Sequence, residues 1–266
     1  MTDHAGPKIL VFDIETAPTT AWVWGLWQQN VGINQIRDDG YILMWAAKWL
    51  GNDEVMHDAL PRHREMYDHD RMDDSLVVES LRDLIDEADV TVTHNGDRFD
   101  LPWVTSRLVY HEMPPLDTPL SVDTLKIARY SMRFVSNKLD YLAQHLGIGC
   151  KMDTGGFELW EGVMAGDPLS WRKMIEYGEH DVVLTEEVYL RLRPYAHQHA
   201  NLSLFHTDGI LRCKKCGSTN LSKDGTGFHT TTANQFQRYR CKDCGDRTSR
   251  GRKSKFTPEE KEGHVR

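Results

Sequence analysis

The chain enters its first regular element at Lys8-Ile-Leu-Val-Phe-Asp-Ile-Glu15, where four consecutive apolar residues mark a strand buried on both faces. Residues 41–50 form a second apolar, aromatic stretch, and 55–60 a weaker third strand. Leu76, Val77, Leu81, Leu84, Ile85 and Ala88 recur at helical spacing, which predicts a helix over 73–88 with one buried face. Residues 90–94 read as a strand that stops at the turn signal Asn95-Gly96. Helices are expected over 99–110, over 139–146 with Gly147 as the stop, and over 168–192, closed by Pro194. Between the first two of these, 122–127 reads as a short strand. Strands first, then strands alternating with helices, predict an α/β core on a mixed sheet.

From Thr207 this pattern ends. Segment 207–266 is polar, rich in Gly and Lys, and too poor in aliphatics to build a core without a staple. The expected organisation is therefore a main domain over 1–206 and a small one over 207–266. Charge divides at the same place. The chain of 266 residues carries 32 basic and 40 acidic groups, a net of −8; 207–266 holds 14 basic against 7 acidic, +7, which leaves −15 for 1–206. A uniformly acidic protein would argue against a nucleic-acid partner, but an acidic body with a basic tail does not. No apolar run approaches the ~20 residues of a membrane helix, and the N-terminus lacks the regions of a signal peptide. A cytoplasmic protein without a membrane partner is expected. With 39% apolar side chains the composition is globular, which excludes collagen, coiled coil and wholesale disorder.

Three acidic elements carry the candidate chemistry. Asp13 and Glu15 end the most apolar strand, and side chains two apart on a strand share a face. Two anions side by side repel unless a cation lies between them, and Mg²⁺ or Mn²⁺ suits such oxygen ligands. Solvated acids at a strand end are the simpler alternative. Asp100, in Asn95-Gly-Asp-Arg-Phe99-Asp100, follows a strand and opens a helix, where a helix cap explains a carboxylate equally well. Tyr177 and Asp181 lie four apart on one helix face, next to apolar Val182, Val183 and Leu184. Alone they could be a surface pair.

In this order and context the three elements resemble the DEDD exonuclease superfamily across roughly residues 8–195. Phe-Asp13-Ile-Glu15-Thr matches its first motif, Asp100 its second, and Tyr177 with Asp181 the tyrosine form of its third; the histidine form would need His where Glu176 stands. The stretches Trp24-Gly-Leu-Trp27, Val122-Asp-Thr-Leu125 and Lys151-Met-Asp-Thr-Gly-Gly-Phe157 look like those of phage and bacterial members, close to DnaQ-like proteins and the exonuclease domains of family B polymerases. The resemblance implies an RNase H-like fold, a mixed β-sheet flanked by helices, and 3′→5′ exonuclease activity on single-stranded 3′ ends, DNA favoured, in a bacterial cell or phage-infected host. It implies two Mg²⁺ or Mn²⁺ ions: Asp13 bridging both, Glu15 and Asp181 completing one, and Asp100 holding the other mainly through water. Tyr177 would orient the attacking water, since its free pKa of ~10 makes it a poor base. No polymerase segment accompanies the nuclease, so a replication or repair protein partner would act in trans. An exoribonuclease, and a nucleic-acid-binding or recruitment module without turnover, are the alternatives.

Substrate contacts are expected from Trp24, Trp27, Asn95, Phe99, Lys138 and Lys151. Trp22, Trp24 and Trp27 follow the first motif, and aromatic faces stack on bases; their irregular spacing, however, favours a core role for at least two of the three. His94, His111 and His180 have no metal-ligand spacing, and Cys150 reads as a free thiol.

The remaining cysteines form two similar units, Cys213-Lys-Lys-Cys216-Gly and Cys241-Lys-Asp-Cys244-Gly. Each Gly permits the tight turn that aims two thiolates at one ion, and four thiolates suit structural Zn²⁺. The segment resembles the zinc ribbons of transposases and other nucleic-acid proteins. Arg238, Tyr239 and Arg240 before the second pair, and Arg247, Arg250, Arg252, Lys253 and Lys255 after it, together with Phe228 and Phe236, suit a single-stranded nucleic acid. A protein-docking ribbon is the alternative.

Overall fold

In the computed structural model, which describes residues 6–117, 119–230, 235–247 and 249–254, the first apolar run becomes β1 (Ile9–Thr16). Leu10, Val11 and Phe12 are wholly enclosed in it. A small hairpin, β2 (Thr20–Ala21) and β3 (Ile36–Asp38), follows, then β4 (Ile42–Trp49) and β5 (Met56–Ala59). Next come α1 (Arg64–His69), α2 (Ser75–Asp86), β6 (Val90–Thr93) and α3 (Asp100–Tyr110). β7 (Leu120–Asp123), α4 (Thr124–Ser131), α5 (Leu139–His145), α6 (Glu158–Ala165) and α7 (Pro168–Leu192) complete this part. The five longer strands form one sheet in the order β5-β4-β1-β6-β7. β1 runs antiparallel to β4 and parallel to β6, and β6 is parallel to β7. The expected mixed sheet flanked by helices is present, with β1 at its centre.

Buried polar groups tie the layers together. Asp74, fully enclosed before α2, accepts the Ile42 N–H of β4 at 2.7 Å, Arg107 Nη2 of α3 at 2.7 Å and His111 Nε2 at 2.6 Å. Lys48 of β4 pairs with Glu186 of α7, which also accepts the Gly51 N–H at 2.7 Å. Such pairs replace hydration by protein partners and add positional specificity more than net stability. Gly178 marks a close approach of α7 to β4: a Cβ there would lie 2.9 Å from Met44 Cε.

One strand expectation is corrected. Of 122–127 only Val122 and Asp123 belong to a strand, and α4 starts at Thr124. The Asp123 carboxylate accepts the Leu125 N–H at 2.9 Å, so it caps the helix and ends the strand there. Segments 64–69 and 158–165 and the 20–38 hairpin had no expected element.

By contact the chain forms two compact units, one of Lys8–Lys126 with Phe134–Tyr189, the other containing Ile127–Arg133 and the chain from Leu190 onward. The second unit carries β8 (Leu221–Thr230), β9 (Gln235–Cys241) and β10 (Ser249–Ser254), an antiparallel sheet in the order β10-β9-β8. Lys255 lies outside the described residues, and the side chains of Phe228, Arg250, Arg252 and Lys253 are likewise not described. Among the described residues no helix is long and apolar enough to cross a membrane.

Candidate active site

The apolar half of β1 is buried, and its last turn of residues carries the acids outward. Asp13 and Glu15, two apart, share a face as expected, and each is half-buried. α7 brings Asp181, 1% exposed, to the same place: one ligand atom from each of Asp13, Glu15 and Asp181 lies within 4.8 Å of the others. Asp100, also 1% exposed, heads α3, but its carboxylate does not cap that helix. It accepts the Ile14 N–H of β1 at 3.1 Å and stands within hydrogen-bonding reach of Asp13. The helix-cap alternative for Asp100 is replaced by a link from α3 to the strand between the other two acids.

Burial dominates the electrostatics of this cluster. It raises the Asp13 pKa well above the carboxylate range, and neighbouring Asp100, Glu15 and Asp181 push it further. Glu15 is raised to about 8, first by burial and then by Asp181. Asp100 reaches about 7, burial outweighing its backbone hydrogen bonds. Among the described residues the cation that reaches the cluster is Lys151, from the loop after α5. Lys151 Nζ donates to Tyr177 Oη at 2.8 Å and to Asp181 Oδ2 at 2.5 Å, and lies 5.1 Å from the centre of the Tyr177 ring. Burial opposes its charge, but Asp181 and Tyr177 together offset this and hold its pKa above the usual lysine value. Tyr177 is raised as well, by burial and then by Asp181.

The residues fit a divalent cation. Asp181 Oδ1 is buried and has no hydrogen-bond partner among the described residues, a costly state for a carboxylate oxygen unless a ligand completes it. Three carboxylates converging within reach of one ion are the hard oxygen donors that Mg²⁺ and Mn²⁺ take.

The motif loop between β6 and α3 is held from below. Asn95 has φ +73° and donates its N–H to Asp123 Oδ1 at 2.9 Å. Gly96 follows because a Cβ there would lie 2.3 Å from Thr93 Oγ1. Phe99 is exposed beside Trp103, and Lys138 is exposed at the start of α5. Trp160 donates to the Thr16 carbonyl at 3.2 Å and meets the Tyr177 ring edge-on at 6.3 Å. Sequence reasoning missed Asp123 and Trp160. The Asp-Thr before a helix was a readable signal for the first, whereas nothing in sequence placed Trp160.

The core role expected for two of the three hairpin tryptophans is overturned. Trp22, Trp24 and Trp27 are 69%, 99% and 85% exposed. β2 and β3 stand off the main sheet as a two-stranded ribbon too small to enclose them. The histidines are occupied elsewhere. His94 bonds Thr124 Oγ1 and the Asn137 carbonyl, with burial holding its pKa at about 4; His111 reaches Asp74 and His180 the Cys150 carbonyl. Cys150 is an exposed free thiol.

In the second unit Cys213, Cys216, Cys241 and Cys244 converge, again within 4.8 Å. Cys213 and Cys244 sulfurs are 3.6 Å apart, as are those of Cys216 and Cys241. A tetrahedron with metal–sulfur bonds of ~2.3 Å has edges of about 3.8 Å. The two cysteine turns are near copies: Gly217 (φ +73°) donates to the Cys213 carbonyl and Gly245 (φ +81°) to the Cys241 carbonyl, while the Cys213 and Cys241 N–H groups bond Ser218 and Asp246 carbonyls at 2.8 Å each. Buried Lys215 bonds the Pro194 carbonyl at 2.7 Å and pairs with Asp246.

No curated protein shows significant sequence similarity to the chain. Among solved structures, the family B DNA polymerase from the hyperthermophilic archaeon Pyrobaculum calidifontis is similar with a TM-score of 0.50 and 18% identity. That match covers 71% of this chain and 25% of the polymerase, so the chain spans about a quarter of its length, and the likeness is one of fold. The sequence profile RNase_H_2 matches residues 10–193, which include the acids of β1, α3 and α7, and the chain accordingly belongs to the RNase H superfamily.

Proposed function

We propose that the protein is a metal-dependent 3′→5′ exonuclease that releases nucleoside 5′-monophosphates from single-stranded DNA. The observation that carries this reading is the convergence of Asp13, Glu15 and Asp181 around one point, with Asp100 and Tyr177 beside it. Membership of the RNase H superfamily, and a fold like that of one quarter of a DNA polymerase chain, support hydrolysis of a phosphodiester. Asp13, Glu15 and Asp181 are the residues that would hold one Mg²⁺ or Mn²⁺, and Asp13 with Asp100 the second. When bound, such ions make a water nucleophilic near neutral pH and offset the charge that develops on the phosphate and the leaving oxygen.

The protein groups do the rest. Burial and then Asp181 disfavour the Tyr177 phenolate. Its oxygen accepts from Lys151, so its O–H is left to donate toward the attacking water or a phosphate oxygen. Tyr177 therefore orients rather than deprotonates. The oxygen of water bonds to phosphorus and its proton passes to solvent, the bond from phosphorus to the 3′-oxygen breaks, and that oxygen takes up a proton from solvent to become the new 3′-hydroxyl. Asn95 and Phe99 flank the strand, and Lys151 sits where a non-bridging phosphate oxygen would find a cation. We assign this activity to 1–206, and to 207–266 a ribbon in which the four cysteines hold one Zn²⁺ and the basic residues add attraction for the strand.

Incubating the full chain with end-labelled single-stranded DNA and RNA, in Mg²⁺, Mn²⁺ or EDTA, reads polarity, sugar and metal together. We expect mononucleotide release from 3′ ends of DNA with Mg²⁺ or Mn²⁺, reduced to background by Asp13→Ala. Undiminished release from that variant refutes the assignment, and release from RNA alone replaces it with the exoribonuclease reading.

A further inference from the structure

Lys151 is bonded inside the carboxylate cluster rather than displayed at its mouth. Its Nζ spans Tyr177 Oη at 2.8 Å and Asp181 Oδ2 at 2.5 Å. Its charge also acts on Asp13 and Glu15, so it reaches all three carboxylates that converge within 4.8 Å. Only one oxygen of Asp181 is taken. Oδ1 is buried and has no hydrogen-bond partner among the described residues. An ammonium therefore already holds half of the carboxylate that a divalent ion would need. The backbone beneath it is tied down on both sides. Lys151 N–H donates to Asp140 Oδ1 of α5 at 2.8 Å, and the Cys150 carbonyl accepts from His180 Nε2 of α7 at 2.7 Å. The side chain is not enclosed in the same way: 32% of it is exposed, against 1% for Asp181, so it has an open side to leave by. A four-carbon stem on a fixed pivot lets the charge move while the loop stays in place.

We infer that Lys151 is a resident counter-ion of the metal site: it holds Asp181 until a divalent ion binds, and then gives it up. The inference rests on the metal-dependent reading above and adds how the site is kept and how it is armed. Carboxylates crowded within 4.8 Å repel, and one ammonium among them offsets part of that repulsion. A divalent ion on Asp181 Oδ1 would stand one carboxylate away from the ammonium on Oδ2. At that separation, in a pocket of low dielectric, two cations repel strongly. Lys151 therefore weakens the ion for as long as it stays, and the ion drives it off when it arrives. The exchange runs toward the ion, which carries twice the charge and takes oxygens from Asp13 and Glu15 as well, whereas Lys151 bonds only Asp181 and the phenol. The displaced ammonium has a resting place, since Nζ already lies 5.1 Å from the centre of the Tyr177 ring. Released from Asp181, it is free for the phosphate contact assigned to it above, so ion and strand strengthen one another's binding.

The test uses the full chain without nucleic acid, supplied with one equivalent of Zn²⁺ for its cysteines. Mn²⁺ is titrated in, and the free ion is counted by its electron paramagnetic resonance signal. Lys151→Met should lower the Mn²⁺ Kd about tenfold, and Lys151→Arg, which keeps a cation, should return it toward the parent. Without Mn²⁺ the Lys151→Met variant should melt below the parent, and saturating Mn²⁺ should close that gap; a lysine of purely structural use would leave the gap unchanged. A second measurement needs no variant. Reductive methylation of the parent, followed by mass spectrometry, should modify Lys151 several times faster once Mn²⁺ is added, with exposed Lys138 as the unaffected reference. Unchanged or weaker Mn²⁺ binding by Lys151→Met overturns the inference, and so does Lys151 labelling that Mn²⁺ leaves unaltered. Exchange at Lys151 in a chain that leaves every labelled strand intact would remove the exonuclease reading and keep the counter-ion. Strand cleavage with a Mn²⁺ affinity indifferent to Lys151 would do the reverse.

Discussion

Asp13 stands among Glu15, Asp100 and Asp181, with Lys151 as the nearby cation among the described residues. Burial raises Glu15 to about 8 and Asp100 to about 7, above the ~4 expected of unfolded carboxylates. The folded state thus binds protons that the unfolded state releases. Stability from these groups is complete below about pH 4 and is lost as pH rises through 7 and 8. Without divalent ions, the melting temperature should fall between pH 5 and 8.5, and Mn²⁺ should restore it most at the alkaline end. Asp13→Asn should raise the metal-free melting temperature at pH 8 by about 2–4 °C for each kcal/mol of repulsion relieved. A flat metal-free profile would show that the acids do not repel in the folded state. Asp13 and Glu15 were legible in sequence because a strand repeats every two residues. Asp123 and Trp160 were not, because their roles depend on which backbone happens to pass beside them.

At the scale of elements, the site depends on three junctions. β1 supplies two acids, the turn after β6 aims Asp100 back at Ile14, and α7 lies close enough to β4 at Gly178 to deliver Tyr177 and Asp181. The turn is the most sensitive. Gly96→Ala would force its Cβ into Thr93, which is fully enclosed and has no room to yield. We expect a loss of about 1–3 kcal/mol together with weaker metal binding by calorimetry, since Asp100 moves with the turn. A stable variant with unaltered metal affinity would refute this coupling. The long helices and central strands were readable because their apolar periods span many residues. The boundary at Asp123 was not, since Val122-Asp-Thr-Leu-Lys-Ile127 is apolar enough for a strand and only the cap bonds of Asp123 decide for a helix. The hairpin misled for a related reason: three tryptophans in sequence imply burial, but among the described residues none covers the rings carried between β2 and β3.

Across the whole molecule, the cysteine cluster separates two kinds of thiol. If Cys213, Cys216, Cys241 and Cys244 hold one Zn²⁺, the native chain should contain one zinc atom by elemental analysis. Of its five cysteines, only exposed Cys150 should react quickly with a chromogenic thiol reagent, and all five after chelation. Five fast thiols in the native chain would exclude a bound ion. What the sequence determined by itself was the inventory and its order: four acids, a tyrosine and two cysteine pairs, each set by local period or spacing. Local rules reach only a few residues along the chain, so this much needs no fold. Only the tertiary structure decided which alternatives hold. It turned Asp100 from a helix cap into a partner of β1, left Asp181 Oδ1 buried and without a hydrogen bond among the described residues, brought Lys151 onto Tyr177, and turned the tryptophans outward. Each of these depends on contacts between residues tens of positions apart, and on the burial they create, which no local pattern encodes.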